Sequence, residues 1–562
     1  MGFSELLDTI GGVGCYHVMQ GVMTFICGIL LAFQNFLQNF VAGVPEHYCQ
    51  FLNQTGAESL YLGGDRSGDL LKASIPMDKG GKPERCLRFT EPQWHLLNAN
   101  STEELKLDTE DCLDGWVYDK SIFLSSIVIE WDLVCGRKPL KPLIQTIFMG
   151  GQQVGSVFFG ILSDRFGRRT VLRWSSLLAT IIGTCVAFAP TFNSYAVLIF
   201  FIGAVIAGIN LSCACLTLEW APLKNRMIVH NGITFSFSAG QILLPGWAYL
   251  VREWRWLQFS TLISFGIILF GSLFLQESVC WLATHNKLPL AVKSLQKVAW
   301  INGHKEKGRK LTPEVVMSYI QEDLEAMKTS PFLTDLFRTP GIRLTTFCIM
   351  LEWFACGFSF YGLGLDLQKF GFSIYWVQVI FALVDFPGKL LASISMSYLG
   401  RRVTLFFLTF FPGLMIIINI FIPQDMPVFQ MILSMLGKGA LGGAMSCLYL
   451  YTPELYPTEI RQIGMSAGIF SIRFGSLLAP VVFIISNYVS ILKPLLFGIV
   501  PILSAISVYF LTETRGLPFL ETIQETENRM KIPRFLRKNA RKDEQITPSL
   551  LPPAMAETES TV

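Results

Sequence analysis

The stretch Ser163–Arg169 (SDRFGRR) is a short basic turn between two long apolar runs. A weaker copy, Ser397–Arg402 (SYLGRR), lies in the same setting, and the two glycines are 233 residues apart (400 − 167). One such cluster alone would be typical of a solvated loop. Two copies in the same position between apolar runs indicate a repeated structural unit instead.

Two further landmarks repeat at nearly the same offset. The spacing E-x-x-P-x-x-x-R that begins at Glu219 returns at Glu454, 235 residues later (454 − 219). Glu277 returns as Glu513, 236 residues later (513 − 277). Because the landmarks keep their order and offset, the sequence predicts two tandem halves of about 235 residues each.

The amino-acid composition indicates whether these halves lie in water or in a lipid bilayer. The chain is 51% hydrophobic and 13% aromatic, only 15% of its residues are charged, and its mean hydropathy is +0.45. A soluble chain would carry about a quarter charged residues. We therefore predict an all-α, multi-pass membrane protein surrounded by lipid. The net charge of +3 is confined to particular loops and indicates no nucleic-acid partner.

A polar insertion of about 100 residues, 42–142, follows the first apolar run. It contains the glycosylation sequons of Asn53 and Asn100, and glycans are added only in the secretory lumen. It also contains an even number of cysteines, which predicts two disulfides in one of three possible pairings. These are Cys49, Cys86, Cys112 and Cys135. The insertion is therefore expected to be an extracellular, glycosylated, disulfide-bonded loop.

The apolar runs predict twelve membrane-spanning helices, because each is close to the roughly 20 residues that a span needs. They lie at 18–41, 143–162, 171–190, 196–217, 228–251 and 256–275 in the first half, and at 345–366, 374–396, 403–422, 428–451, 463–486 and 491–511 in the second. With the insertion outside, the SDRFGRR cluster faces the cytoplasm, as the positive-inside rule requires.

These spans divide the chain into five parts. They are a cytoplasmic N-terminus (1–17), an N-terminal six-helix half (18–281), a cytoplasmic linker with amphipathic helices (282–343), a C-terminal six-helix half (344–513) and a cytoplasmic, disordered tail (514–562). The chain ends Ser560-Thr561-Val562, the kind of carboxyl terminus that a PDZ domain binds as an added strand. A PDZ scaffold protein is therefore an expected partner.

Two parallel six-helix halves fit the major facilitator fold, in which the halves rock about a site at the bilayer midplane. Charges at the cytoplasmic helix ends are then expected to pair with the opposite half in one conformation and release it in the other. The alternative is that these charges only fix the topology. The candidates for the gate are Asp164, Arg165, Arg168, Arg169, Glu219, Arg226, Glu277, Arg401, Arg402, Glu454, Arg461 and Glu513.

Several motifs together resemble the organic anion transporter group of the organic ion transporter family, within the major facilitator superfamily. They are GGVG (11–14), DGWVYD (114–119), EWDLVC (130–135), SDRFGRR (163–169) and ELYPTEIRQ (454–462). The resemblance implies a secondary transporter, not an enzyme, that moves amphipathic organic ions across the plasma membrane of epithelial cells. It also implies that the counter-substrate can be a dicarboxylate.

The sign of the substrate can be argued from two cations in mid-span positions, Lys389 and Arg473. A cation at the bilayer centre costs about 2.5–3.5 kcal/mol, so it is kept only where it faces protein, water or a counter-charge. Both positions also match those at which the anion transporters carry Lys and Arg. The alternative for Lys389 is an ion pair with Asp385, one helical turn earlier, and the two roles are compatible.

The resemblance also implies a set of residues that line the substrate cavity together with these cations. They are Asn35, Asn210, Phe237, Trp353, Tyr361, Phe381, Met445 and Tyr449. A flat apolar cage with one or two cations suits an aromatic or steroidal carboxylate or sulfate, with urate and prostaglandins among the candidates. Glu352 departs from the pattern, because an apolar residue is usual there and an acid must be neutral or paired.

Other classes of function remain open from the sequence. An organic cation or zwitterion carrier is the alternative within transport, and a membrane receptor or a channel is the alternative outside it. No metal-ligand cluster, catalytic triad or Walker-type phosphate loop occurs in the sequence, so no cofactor is expected.

Overall fold

Twelve apolar helical segments, α1 to α12, make up most of this computed structural model. It describes residues 5–531 apart from 8–11, 13, 51–70, 78–80, 94–107, 223–224, 329–332, 424, 487, 490, 518–519 and 521. The segments of the N-terminal half are α1 (Cys15–Val41), α2 (Leu140–Phe166), α3 (Arg168–Ala187), α4 (Phe192–Trp220), α5 (Arg226–Leu250) and α6 (Trp254–Ile263 with Phe265–Ser272).

The C-terminal half repeats this order. Its segments are α7 (Pro340–Gly364), α8 (Ile374–Tyr398), α9 (Arg401–Ile418), α10 (Pro427–Leu455), α11 (Arg461–Ile485) and α12 (Leu492–Val508). Each segment overlaps one of the predicted spans. Eight of these twelve described segments are long and apolar enough to cross a membrane by length and composition. The other four are α2, α5, α6 and α12.

The turn between α2 and α3 has a twin between α8 and α9, as the repeated basic stretch predicts. Gly167 and Gly400 both have φ +97°, which an L side chain rarely adopts. A Cβ on Gly167 would lie 2.5 Å from Oε2 of Glu277, and one on Gly400 would lie 2.6 Å from Oε2 of Glu513. Glycine is therefore required at both turns, and each glutamate packs against its own glycine.

The insertion after α1 adds β structure to the otherwise helical fold. Strand β1 (His47–Cys49) pairs antiparallel with β4 (Trp116–Tyr118), and β2 (Leu87–Phe89) pairs antiparallel with β3 (Thr109–Asp111). The expectation of an all-α protein holds for the spans, whereas the described part of the loop contains these short strands, a helix, Ile127–Glu130, and a 3-10 helix, Cys135–Arg137.

The two disulfides that the cysteine count predicts are formed within this loop. Cys49 is bonded to Cys112 and Cys86 to Cys135, so one of the three possible pairings is selected. The sequon residues Asn53 and Asn100 lie outside the described residues.

Short helices cover the ends of the two halves on the side that the sequence predicts to be cytoplasmic. Val279–Thr284 joins the N-terminal half to the linker, the linker contains Leu288–Ile301, Lys305–Arg309, Pro313–Lys328 and Asp335–Arg338, and the tail contains Ile523–Lys531. The tail helix corrects the expectation of disorder from residue 514. Ile523 packs against a small apolar cluster that includes Ile342 and Tyr456, and this burial explains the order. Ser560, Thr561 and Val562 lie outside the described residues.

Candidate substrate-binding site

A cavity of about 220 Å³ lies between the two halves. Helices α1, α2, α4 and α5 line it from the N-terminal half, and α7, α8, α10 and α11 line it from the C-terminal half. Eight of the ten residues predicted for the site lie on its wall: Asn35, Asn210, Phe237, Tyr361, Lys389, Met445, Tyr449 and Arg473. Sequence reasoning missed other wall residues, among them Met149, Gln152, Phe360 and Ser446.

Trp353 and Phe381 were expected on the wall, but they pack behind it. The indole of Trp353 is fully buried, and its Nε1 donates a hydrogen bond to the Thr452 hydroxyl at 3.1 Å. Gly468 leaves room for this ring, because a Cβ there would lie 2.6 Å from the indole nitrogen. Phe381 is also buried and packs beside Lys438. Both rings therefore support the wall from within the C-terminal half.

Two tyrosines, Tyr361 and Tyr449, belong to the aromatic part of the wall. Tyr361 stacks on Phe36 of the opposite half at 5.8 Å between ring centroids. Its hydroxyl donates to Oδ1 of Asn35 at 3.4 Å, and Gln152 donates to the same oxygen at 3.4 Å. Tyr449 meets Trp353 edge to face at 4.6 Å. The wall thus presents rigid aromatic faces, which favour a flat apolar substrate.

Arg473 is the cation on the C-terminal side of the cavity. Tyr361 and Tyr449 are the ionisable side chains that interact with its guanidinium. Among the described residues, no carboxylate lies within 4.0 Å of it, since no ion pair involves this arginine. A buried guanidinium without a counter-charge is costly unless a mobile anion or water satisfies it. The position is therefore suited to bind a substrate anion.

Lys389, on α8, is held by the opposite half instead of by its own helix. Its Nζ donates to the carbonyl of Thr234 at 2.9 Å and to the hydroxyl of Ser238 at 2.6 Å, both on α5. The ring of Phe235 lies 5.9 Å away. The ion pair between Lys389 and Asp385 is not formed. Because both acceptors of Lys389 are neutral, neither hydrogen bond neutralises its positive charge at the wall.

Asp385 pairs with a third buried cation, Lys438 on α10, that sequence reasoning missed. The distance from Lys438 Nζ to Asp385 Oδ2 is 3.7 Å, and both side chains are almost completely buried. Gln241 on α5 bridges them, since its amide nitrogen donates to Asp385 at 2.9 Å and its oxygen accepts from Lys438 at 2.8 Å. The mid-span criterion that identified Lys389 applies equally to Lys438 within Gly437-Lys438-Gly439.

Further hydrogen bonds join the halves toward the helix ends that the sequence predicts to be extracellular. Asn39 donates to the carbonyl of Gly364 at 3.0 Å and to the side chain of Gln378 at 3.2 Å. Lys141, at the start of α2, donates to Gln368 at 3.0 Å. These contacts hold the two halves together on that side of the cavity.

An ion-pair cluster stabilises the loop that follows α7. Asp366 lies 2.8 Å from Lys493 and 3.2 Å from Lys369. Burial alone would favour the neutral acid, but the two lysines outweigh it and hold the pKa of Asp366 below its usual value. The cluster fixes this loop beside Gln368, the partner of Lys141.

Known proteins similar to this chain match almost its whole length. Residues 98–526 match the family described as "Sugar (and other) transporter". "Solute carrier family 22 member 20" of Mus musculus is 44% identical, over 97% of this chain and 98% of the relative. "Solute carrier family 22 member 6-B" of Xenopus laevis is 42% identical, over 94% of this chain and 95% of the relative. The chain belongs to solute carrier family 22.

This family 22 chain is also 40% identical to "Organic anion transporter 3" of Mus musculus, over 94% of the chain and 95% of the relative. The resemblance to the organic anion transporter group is therefore confirmed. The xylose transporter XylE from E. coli, in a partially occluded inward-open conformation, has a TM-score of 0.59 over 90% of this chain and all of that one. At 14% identity it shows the fold alone, which confirms the major facilitator fold. Fold and relatives are those of transporters and not of enzymes.

The proposed gate of this family 22 transporter has a twofold pattern. Arg168 pairs with Glu219 at 3.1 Å and with Asp164 at 3.0 Å in the N-terminal half. Arg401 pairs with Glu454 at 3.2 Å in the C-terminal half. These described ion pairs lie within one half each. Ion pairs between the two halves were expected in one conformation of the transport cycle. In the conformation that the structure describes, these charges form no such pair.

Backbone groups complete both clusters. Glu277 accepts from the backbone N–H of Arg169 at 3.1 Å, and Glu513 accepts from that of Arg402 at 3.0 Å. The guanidinium of Arg169 donates to the carbonyl of Leu273 at 3.1 Å, and that of Arg402 to the carbonyl of Tyr509 at 2.6 Å.

The remaining gate candidates take no part in these described pairs. Arg165 is exposed beside the ring of Phe166, and Arg461 donates to the Thr458 hydroxyl at 3.2 Å. The side chain of Arg226 lies outside the described part of the structure.

Proposed function

We propose that this chain carries amphipathic organic anions, such as aromatic or steroidal carboxylates and sulfates, across the plasma membrane of epithelial cells by alternating access. The observation that carries the proposal is Arg473, a cation on the wall of a cavity between the two halves with no described carboxylate near it. The name of the mouse organic anion transporter 3 supports the same substrate class.

The charges on the cavity wall favour an anion over a cation. Lys389 and Arg473 lie on the wall, and its described lining contains no aspartate or glutamate. The carboxylate nearest in the chain, Asp385, already has Lys438 and Gln241 as partners. An organic cation would therefore meet two like charges and no counter-charge, which argues against the cation carrier.

The two cations also make exchange for a dicarboxylate physically reasonable. An empty cavity would leave both charges uncompensated, which is unfavourable at mid-bilayer depth. Return of the carrier with a second anion avoids this state and so lowers the barrier of the return step. We therefore propose that a dicarboxylate is the counter-substrate.

Uptake in cells that express the chain tests the proposal. A labelled aryl sulfate and an aryl ammonium ion of similar size would be compared, with and without a dicarboxylate preloaded into the cells. We expect saturable uptake of the sulfate alone, accelerated by preloading. Uptake of the ammonium ion in preference to the sulfate would contradict the proposal. If preloading leaves sulfate uptake unchanged, the exchange for a dicarboxylate is contradicted, whereas the proposal of anion transport stands.

A further inference from the structure

The carboxyl of Glu352 is completely buried in the middle of α7, inside the C-terminal half. Both of its oxygens are shielded from solvent, and among the described residues neither makes a hydrogen bond of ordinary geometry. Ser504 of α12 faces the carboxyl, but its hydroxyl donates to the carbonyl of Pro501 at 2.9 Å. The cavity and the gate described above do not use this group.

The ionisable groups that face Glu352 are neutral thiols. Cys348 and Cys356 lie one helical turn to either side on α7, and Cys447 faces it from α10. In the part of the chain that the structure describes, no lysine or arginine forms an ion pair with Glu352. Arg473, the mid-span cation of α11, lies instead beside the two tyrosines of the cavity wall.

The tail helix packs against the start of α7, far along the helix from this position. Glu527 of the tail helix accepts hydrogen bonds from the backbone N–H groups of Gly341 at 2.7 Å and Ile342 at 3.2 Å. Gly341 is eleven residues before Glu352 (352 − 341), or about 16 Å along the helix at its usual rise. Glu527 carries the same charge as an ionised Glu352, so it could not compensate that charge at any distance.

An ionised carboxylate in this apolar site would have no counter-charge, and the hydroxyl that faces it, that of Ser504, donates to a backbone carbonyl instead. Burial of an unpaired charge costs several kcal/mol, and a buried acid avoids this cost by keeping its proton. We propose that Glu352 is a proton-binding site, protonated in this arrangement of the C-terminal half and deprotonated when the half rearranges during the transport cycle. On release, the carboxyl O–H bond breaks, the proton passes to water, and the carboxylate remains hydrated.

A short path of contacts connects this site to the gate of the same half. The thiol of Cys447 donates to the carbonyl of Arg401 at 3.7 Å, and the guanidinium of Arg401 pairs with Glu454 at 3.2 Å. Movement of this charge cluster would therefore displace α10 relative to α7 and open the packing around Glu352. Because the proton binds more tightly in the buried arrangement, acid favours the present conformation and alkali favours the rearranged one.

Infrared spectroscopy of the purified full-length protein tests the protonation directly. We expect a protonated-carboxyl C=O band at pH 7 that is lost in Glu352→Gln and in Glu352→Leu. Leucine fits the apolar surroundings, so it serves as the second variant if glutamine disturbs folding. An unchanged band in a folded variant would show that Glu352 is ionised and would overturn the proposal. This readout does not depend on which solute is carried.

Uptake of an aryl sulfate, whose charge is constant over the range used, tests the coupling. The pH profile of the unaltered chain should differ from that of Glu352→Leu by about three- to tenfold per pH unit, since one proton allows at most a tenfold change. Glu306→Gln, which alters an exposed linker carboxylate, is the matched control and should keep the original profile. Coincident profiles for Glu352→Leu and the unaltered chain would overturn the coupling, whatever the infrared result.

Discussion

Asp385 and Lys438 form a buried ion pair between α8 and α10, and Gln241 of the opposite half bridges it. The pair engages Oδ2 of Asp385 behind the cavity, and among the described residues no ion pair joins Asp385 to Lys389. The cavity wall therefore carries two cations, Lys389 and Arg473, and we propose that they attract the substrate anion.

The pair predicts a specific rescue. Lys438→Met should strand Asp385 as a buried charge and cost about 3–5 kcal/mol of stability. Adding Asp385→Asn should restore most of the surface level and the melting temperature. Lys389→Met combined with Asp385→Asn is the matched control, and it should show no rescue. Equal rescue in both double variants would mean that Asp385 pairs with Lys389 after all.

Lys389 should contribute through its charge and through its contacts with the opposite half. Lys389→Ala removes both hydrogen bonds to α5 and one cavity cation, so we expect weaker anion affinity. Ser238→Ala removes one of the two acceptors and keeps the charge. It should therefore have the smaller effect on concentration-dependent uptake at matched surface level. A larger effect of Ser238→Ala would show that the contact, and not the charge, is what matters.

The twin glycine turns predict matched losses of stability. Gly167→Ala and Gly400→Ala each combine a strained φ with a collision against a glutamate, and should cost about 1–3 kcal/mol. Gly266→Ala, on α6 with open space around the position, is the control and should have little effect on the melting temperature. Unaltered stability of the Gly400 variant would mean that the two turns are not equivalent.

The orientation of the whole chain depends on the loop after α1. Asn53→Gln and Asn100→Gln should each increase electrophoretic mobility, because each removes one glycan from an extracellular segment. Treatment of the unaltered chain with a glycosidase is the control, and it should produce a larger shift than either variant. If neither variant nor glycosidase changes the mobility, the assignment of the two membrane sides must be inverted.

Sequence reasoning predicted the membrane helices well because long apolar runs are separated by polar loops. It also located Lys389 and Arg473, since a mid-span cation is conspicuous in an apolar segment. It paired Asp385 with Lys389 because the i, i+4 spacing favours a partner on the same helix. In the fold, α10 packs beside α8, and Lys438 of α10 is the partner instead. The indole of Trp353 packs behind the cavity wall because Gly468 leaves room for it. Gly468 lies 115 residues further along the chain (468 − 353), so the sequence around Trp353 does not reveal this contact.

The central claim is that Arg473 binds the substrate anion, and concentration-dependent uptake of an aryl sulfate in Arg473→Ala tests it most directly. A hydrogen bond to a charged group contributes about 1.5–3 kcal/mol, so the ratio of maximal rate to KM should fall by about 10- to 150-fold at equal surface level. Ser476→Ala is the control, because Ser476 lines the same cavity one turn away and donates to the carbonyl of Ile472 at 2.8 Å. It should transport like the unaltered chain. Normal affinity and turnover in Arg473→Ala would contradict the account.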